Sequence, residues 1–493
     1  MNKHSELYDI VIIGGGINGA GIAADAAGRG LKVALCDKGD LGGETSSAST
    51  KLIHGGLRYL ETYEFRLVRK ALKESELLLA LAPHLIQPIS INIPHTAYHR
   101  PWLLIRLGLF LYNHLARRPG YRNAKAVRFH QDSPLADEFS HGFNFWDGQV
   151  DDARLVILNA VQAARDSADI LVRNECVGIK PADTFWEVTL EDRLHGEELT
   201  LKTRTIVNAT GPWVSQLIEK TVNKKPRNEV RLVKGSHIII PRIQPEDQAF
   251  LLQNEDGRIV FVIPYQQNYS LIGTTEEEFA GDPSSAEISI RETDYLIDVV
   301  NGYFHTPIKK EDVVYSYSGV RPLVGEEEQS ATRASRDYRL EFENTPLPLL
   351  SIYGGKVTTY RILAEQAVDM LGKYIAGIED SKTSRVRLPG GDIESREQQV
   401  EVLIGRHPWL EPGIIRRWVA AYGSLCSRVL QGSASVDDLG MDFGHGLFQR
   451  EVDYLVESEW AITAEDILWR RTKLGLVFSE SQKRVLDKYL GNP

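Results

Sequence analysis

The sequence predicts an α/β chain with a Rossmann-like dinucleotide-binding domain, a β-rich second domain and a helical C-terminal domain. Three observations predict it. A strand, a glycine loop, a helix and a second strand follow one another over residues 8–37. Strand-like segments crowd residues 230–345. Helical periodicity takes over after the Pro-Gly-Gly at 389–391.

The first strand is the apolar run 10–13, a pattern expected of a buried parallel strand. Gly14, Gly16 and Gly19 follow at the spacing G-x-G-x-x-G. Gly14 permits the tight turn, Gly16 lets the backbone approach a pyrophosphate, and Gly19 lets the next helix pack closely on the strand. Free amides at that helix start suit the pyrophosphate charge. The second strand, 31–35, ends at Asp37, whose carboxylate can accept hydrogen bonds from ribose hydroxyls.

Residues 39–60 are dense in Gly, Ser and Thr and carry Lys51, His54 and Arg58. They read as a loop, with the look of a binding wall rather than a bare surface turn. Residues 61–82 read as an amphipathic helix with Phe65, Val68, Leu72 and Leu79 on one face, ended by Pro83. From 77 to 131 the chain has no Asp or Glu. The apolar stretch 101–118 within it has two readings. One is a buried helix with a basic edge; the other is a patch facing an anionic membrane or phosphate compounds.

Asp151 and Asp152 open a helix over 151–168. Strands are expected at 170–180, 185–191 and 198–207, the last running into Asn-Ala-Thr-Gly-Pro-Trp at 208–213. The β-rich region contains His237, Arg321 and Arg336. An apolar strand at 349–352 then leads to paired glycines and a helix over 359–375, a return to the first domain. Beyond 388, Thr463 and Asp466 suggest a helix cap.

The size, 493 residues, is enough for two or three domains, and the apolar fraction of 42% is ordinary for a globular chain. A net charge of -10 argues against nucleic acid as a partner. The three cysteines, Cys36, Cys176 and Cys426, lie far apart, so neither a metal site nor a disulfide framework is expected and a reducing compartment fits. The first residues lack a signal-peptide core, and no 18-residue charge-free apolar run suggests a membrane span.

Several segments together resemble the FAD-dependent aerobic glycerol-3-phosphate dehydrogenases of bacteria. They are G-G-G-I-N-G-A-G, T-S-S-A-S-T-K-L-I-H-G-G-L-R-Y-L, N-A-T-G-P-W, K-G-S-H, Y-S-G-V-R-P and G-G-K-V-T-T-Y-R. The resemblance runs over nearly the whole chain. It implies the flavin fold shared with glycine and D-amino-acid oxidases. The division it suggests is 1–75, 146–225 and 349–387 for the FAD-binding domain, 226–348 for the mixed-sheet substrate domain and 388–493 for the helical domain. Residues 76–145 would be a helical basic insertion on the substrate and membrane side.

The resemblance implies FAD held by Gly14, Gly16, Gly19 and Asp37 at its ADP half. Thr45, Ser46, Ser47, Ser49, Ala209 and Gly211 would line it, and Gly355, Lys356, Val357 and Thr358 would reach the flavin end. FAD is also favoured over NAD because glycine segments recur near 210 and 355, long after the first fold unit. Arg58, Arg321, Arg336 and Lys356 resemble the residues around the substrate, and an arginine fork suits phosphate. The implied reaction takes sn-glycerol 3-phosphate to dihydroxyacetone phosphate by hydride transfer from C2 to flavin N5. His54 and His237 are candidate bases; Arg321 and Lys356 could instead stabilise the developing alkoxide. An amine or amino-acid oxidase of the same fold is the alternative, and a non-catalytic flavin-binding or tRNA-modifying protein is a third class.

The resemblance also implies a membrane quinone as electron acceptor. The enzyme would then sit peripherally on the cytoplasmic face of the membrane, with a homodimer left open. The expected contact is 98–128. Trp102, Leu103, Leu104, Leu107, Leu109, Phe110 and Leu111 would supply an apolar face, with Arg100, Arg106, Arg117 and Arg118 meeting anionic phospholipid.

Overall fold

A computed structural model describes residues 6–96, 100–130, 132–222, 230–254, 256–324 and 337–491. Two large sheets organise it. The first is mostly parallel and runs in the order Arg339–Glu343, Leu349–Tyr353, Glu198–Asn208, Leu7–Ile13, Val33–Cys36, Asp169–Leu171. An antiparallel extension through Trp186–Asp192 and Asn174–Pro181 completes its eight strands. Its central strands carry the apolar runs 10–13, 33–36 and 206–207 because helices cover one face and the antiparallel extension the other. The helices are Ile17–Gly28, Asp152–Arg165 and Tyr360–Leu371.

Register decides where a site can form in this sheet. Ile13 lies beside Cys36 and beside Asn208, and Asn208 lies beside Ser351. The parallel strands therefore end together, and the segments that follow them, 14–16, 37–39, 209–211 and 354–356, share one edge. Ligands of open α/β sheets bind at that carboxyl edge.

The second sheet has ten strands, in the order Glu277–Glu278, Val230–Pro241, Tyr269–Gly273, Ile259–Tyr265, Gln248–Gln253, Ile86–Pro94, His141–Val150, Leu52–Ile53, with Tyr315–Val324 paired to Val230–Pro241 and Lys125–Arg128 to His141–Val150. Here the expectation of a helical insertion over 76–145 needs correction. Ile86–Pro94, Lys125–Arg128 and half of His141–Val150 fall in that range and are strands of the substrate-side sheet. The misreading has a physical cause. Asn144 Nδ2 is buried and donates to Ser90 Oγ at 2.6 Å and Asn92 Oδ1 at 2.9 Å. Ile89, Ile91 and Ile93 alternate as strand residues do, with Ser90 and Asn92 on the polar face against Asn144, but Pro88 and Pro94 punctuate the run as a turn would.

The one long helix of that range is Trp102–His114. Ile105, Leu109 and Tyr112 form its buried stripe. Leu103, Leu104, Leu107 and Phe110 project outward, with exposures of 74%, 50%, 55% and 56%. Leu109 therefore leaves the expected apolar outer face. Arg106 and Arg117 are exposed. Arg118 is not available to a headgroup: its side chain is 9% exposed and pairs with Asp147 at 2.9 Å. Arg100 pairs with Glu61 at 2.6 Å. Among the described residues no helix is long and apolar enough to cross a membrane.

The C-terminal domain has its own core around Trp418, Tyr422, Leu455 and Leu468. Its cap is the expected one, since Asp466 N–H donates to Thr463 Oγ1 at 3.2 Å and Thr463 N–H donates to Asp466 Oδ2 at 3.0 Å. Charged pairs dock it on the first domain. Arg154 with Glu459 (2.8 Å), Arg173 with Asp466 (2.9 Å) and Lys473 with Asp151 (2.6 Å) all cross that boundary.

Candidate active site

The carboxyl edge of the first sheet is shaped by missing side chains. A Cβ on Gly14, where φ is +110°, would stand 2.5 Å from Ala209 O, and one on Gly19 would stand 1.9 Å from Gly14 O. Gly355 has φ +105°, and a Cβ there would meet Asn18 Nδ2 at 2.8 Å. The first two glycine segments thus touch through backbone and the third meets the first through the Asn18 side chain, leaving their outer sides for a ligand. Gly16 starts the Ile17–Gly28 helix as its cap.

Polar groups line this edge. Asp37 Oδ2 accepts from Gly15 N–H at 2.6 Å and Oδ1 from Gly39 N–H at 2.7 Å. Burial pushes the Asp37 carboxyl above its ordinary range although those amides pull it down. Ser46 Oγ accepts from Ile17 N–H at 3.0 Å, at the helix start. Thr45 Oγ1 donates to Val320 O at 2.8 Å and ties the loop to the second sheet. Ser47 Oγ donates to Glu44 O, while Ser49 Oγ donates to Asp152 Oδ2 at 2.7 Å. Asn18 Nδ2 donates to Gly354 O at 3.1 Å, and its Oδ1 is buried with no hydrogen-bond partner.

From this edge a cavity of about 760 Å³ runs between the two sheets to the Trp102–His114 helix. Its inner wall includes Thr45, Ser49, His54, Arg58, Arg321 and the segment from Gly354 to Thr358. Lys356 Nζ is buried without a hydrogen-bond acceptor and sits 3.7 Å from the centre of the Tyr59 ring. His54 N–H donates to Thr358 Oγ1 at 3.1 Å, so the two segments expected at the flavin end meet. Arg321 Nη2 donates to Thr274 Oγ1 at 3.4 Å, with Glu276 3.9 Å from its Nη1. Its outer wall is apolar, with Leu104, Leu107, Leu111, Tyr63 and Phe65. A basic, hydrogen-bonding inner end and an apolar outlet suit a small anion that reacts within and a hydrophobic molecule that enters from outside.

His54, Arg58, Arg321 and Lys356 are therefore brought together. His237 is not among the cavity residues. It is fully buried, Nε2 lies 3.0 Å from Thr50 Oγ1, and the ring stacks on Tyr317 at 4.9 Å. Its ring fills space that only a glycine opposite could leave: a Cβ on Gly273 would stand 2.0 Å from His237 Cδ2. Burial, reinforced by the charges of Arg321 and Lys51, holds it neutral, well below the usual histidine range. His237 lies behind the cavity wall, one hydrogen bond from Thr50, which lines it, and its Nδ1 is buried with no hydrogen-bond partner. Arg336 lies outside the described residues.

Sequence reasoning missed Tyr112 and Asp147, and named Lys51 in its loop without giving it a role. Asp147 lines the cavity floor and accepts from Tyr112 OH at 2.7 Å and Arg118 at 2.9 Å. Burial pushes it up to about 6 against the pull of Arg118 and Tyr112. Lys51 is buried, with Nζ 2.8 Å from Asp152 Oδ1, and has φ +57°. Nothing in the sequence marks it beyond its place in the Gly- and Ser-rich loop.

The chain is similar to known flavoproteins in sequence and in fold. A family model for FAD dependent oxidoreductases matches residues 9–361, and one for the C-terminal domain of alpha-glycerophosphate oxidase matches residues 381–490. Glycerol-3-phosphate dehydrogenase of Pseudomonas aeruginosa is 48% identical over 489 residues, covering 99% of this chain and 95% of that protein. D-erythritol 1-phosphate dehydrogenase of Brucella abortus is 43% identical over 493 residues, covering 99% and 98%. The crystal structure of glycerol-3-phosphate dehydrogenase from Bacillus halodurans complexed with FAD superposes with a TM-score of 0.75 at 26% identity, over 99% of this chain and 94% of that one.

Proposed function

The chain belongs to the FAD-dependent glycerol-3-phosphate dehydrogenases, a branch of the FAD dependent oxidoreductases, and from that premise we propose that it oxidises sn-glycerol 3-phosphate to dihydroxyacetone phosphate. The observation that carries the reading is the convergence of Arg58, Arg321, Lys356 and His54 at the inner end of one cavity, beside the glycine edge that fits FAD. The glycines of 14–19 and 355, the buried Asn18 Oδ1 and the amides near Gly16 would hold the cofactor. The chemistry FAD supplies when bound is acceptance of the C2 hydrogen, as a hydride, at N5.

The chain's own residues have three tasks. Arg58 and Arg321, with Arg336 from the sequence, bind the phosphate through paired charge-assisted bonds. Lys356 holds positive charge near C2, in a buried setting where it weighs more than in water. His54 takes the hydroxyl proton. The apolar walls exclude water from the reacting carbon.

Similarity to an erythritol-phosphate enzyme at 43% identity makes substrate length the point to test. Purified holoenzyme should reduce a soluble dye with glycerol 3-phosphate and leave glycine and sarcosine untouched. Turnover of D-erythritol 1-phosphate exceeding that of glycerol 3-phosphate would reassign the substrate. Arg58→Ala and Arg336→Ala should each raise KM at least tenfold while FAD stays bound. An unchanged KM would remove that arginine from the phosphate site.

Electrons leave to a membrane quinone in this reading, reached through the apolar outlet. Exposed Leu103, Leu104, Leu107 and Phe110, flanked by exposed Arg106 and Arg117, support a peripheral contact with an anionic phospholipid surface on the cytoplasmic face. Arg106→Glu with Arg117→Glu should weaken binding to anionic vesicles and quinone turnover but spare dye reduction.

A further inference from the structure

One turn of the C-terminal domain reaches the cofactor-facing loop at both ends without lining the cavity. Arg470 and Arg471 both donate to Asp40, which follows Asp37 and Gly39. Arg471 Nη2 lies 2.8 Å from Asp40 Oδ1, and the two side chains are 0% and 2% exposed. Two residues on, Lys473 Nζ donates to Asp151 Oδ1 at 2.6 Å. The adjacent Asp152 accepts from Ser49 N–H at 3.1 Å, Ser49 Oγ at 2.7 Å and Lys51 Nζ at 2.8 Å. Trp469 completes the set by stacking on Tyr315 with ring centres 3.8 Å apart. Tyr315 begins the strand whose Tyr317 OH donates to Ser49 O at 2.8 Å and whose Val320 O accepts Thr45 Oγ1.

We infer that residues 469–473 are a cofactor-retention clamp, with Arg470, Arg471, Lys473 and Trp469 as positioning residues that fix the loop from Asp40 to Lys51 around FAD. Buried ion pairs are weak contributors to stability compared with apolar packing of equal volume, so burying Asp40, Arg471 and Lys473 and half-burying Arg470 and Asp151 at one turn calls for another return. Holding a glycine- and serine-rich loop in one conformation is such a return, because that loop otherwise loses much backbone freedom when ligand binds. Lys473 itself has φ +61°, a left-handed conformation that a lysine adopts only when its surroundings enforce it. Linkage then requires the converse: FAD binding must steady the turn.

The inference rests on FAD as cofactor and not on the identity of the substrate, so FAD binding is its readout. Apoprotein is titrated with FAD by flavin fluorescence. Asp40→Asn and Lys473→Met, folded by circular dichroism, should each raise the dissociation constant at least tenfold, and Asp40→Glu should restore it to within about threefold. Folded variants that bind FAD as tightly as the unaltered chain overturn the clamp. Should both variants fail to fold, hydrogen exchange on the unaltered chain decides. Adding FAD should slow amide exchange over 466–473 as well as over 40–51, and protection confined to 40–51 overturns the inference.

Discussion

Two helices of this chain, Ile17–Gly28 and Trp102–His114, are nearly equal in length and equally poor in charge. The first carries Asp25, the second Arg106. Yet the first is buried all round, and the second keeps only Ile105, Leu109 and Tyr112 out of water. Side-chain size separates them. Gly19, Gly21 and a run of alanines let strands and two other helices close in from every side; a Cβ on Gly21 would already stand 2.7 Å from Tyr360 Cδ2. Ile105, Leu109 and Tyr112 of the second helix pack inward, while Leu103, Leu104, Leu107 and Phe110 leave an uncovered apolar stripe. Apolar composition alone does not report burial; small residues record the presence of neighbours, and large exposed ones call for a partner.

The comparison is broken most severely at its tight end. Gly19→Val drives a branched side chain into Gly14 O, with no flexible neighbour to yield. Loss of about 3 kcal/mol or more is expected, with no yellow holoenzyme recovered on purification. At the loose end, replacing Leu104, Leu107 and Phe110 by glutamate should leave the melting temperature and dye reduction nearly intact. Vesicle binding should fall more than a hundredfold, since each lost side chain forfeits about 1.5–3 kcal/mol of burial.

Tyr112→Phe tests the buried stripe of that same helix. It removes the hydroxyl between Gly55 N–H and Asp147, at an expected cost of about 1–3 kcal/mol in thermal or urea unfolding, with vesicle binding unchanged. A pH titration sharpens this. Asp147 sits at about 6 in the folded chain, above the ordinary carboxyl value of about 4. The folded state therefore keeps a proton that the unfolded chain has released. The resulting stability is complete below about pH 4 and is lost as pH rises through about 6. Tyr112→Phe removes one group that pulls this value down, so the loss should move to higher pH when melting temperature is followed against pH. Smallest of all, Gly108→Ala should be neutral or stabilise by about 0.5–1 kcal/mol, because its Cβ meets only Leu57 Cδ1 at 4.0 Å.

The same contrast explains what could be read from sequence. Gly14, Gly16 and Gly19, the Ala209–Gly211 turn and Gly355 were legible because a positive φ or a backbone contact leaves a local trace in residue type. The arginines were legible as candidates through their glycine- and tyrosine-rich settings. The Ile86–Pro94 strand was not, since Pro88 and Pro94 disguise the alternation of Ile89, Ile91 and Ile93. Nor was the position of His237, which depends on a glycine on the neighbouring strand, Gly273. The fate of residues 101–118 had two readings because sequence lists the residues of a helix but not its neighbours.

The meeting of Ile13, Asn208 and Tyr353 ends at one edge has a consequence for biosynthesis. Asn18 binds Gly354, and His54 binds Thr358, across more than three hundred intervening residues. At about 5–20 residues per second, roughly 20–70 s separate the synthesis of the fingerprint from that of its last partner strand. Through that interval the nascent chain already carries the apolar Trp102–His114 helix but lacks the wall that completes the cofactor cradle. The FAD cradle is therefore complete only once residue 358 has been made, and the ribosome delivers the helix with the exposed apolar stripe well before the cofactor edge can close.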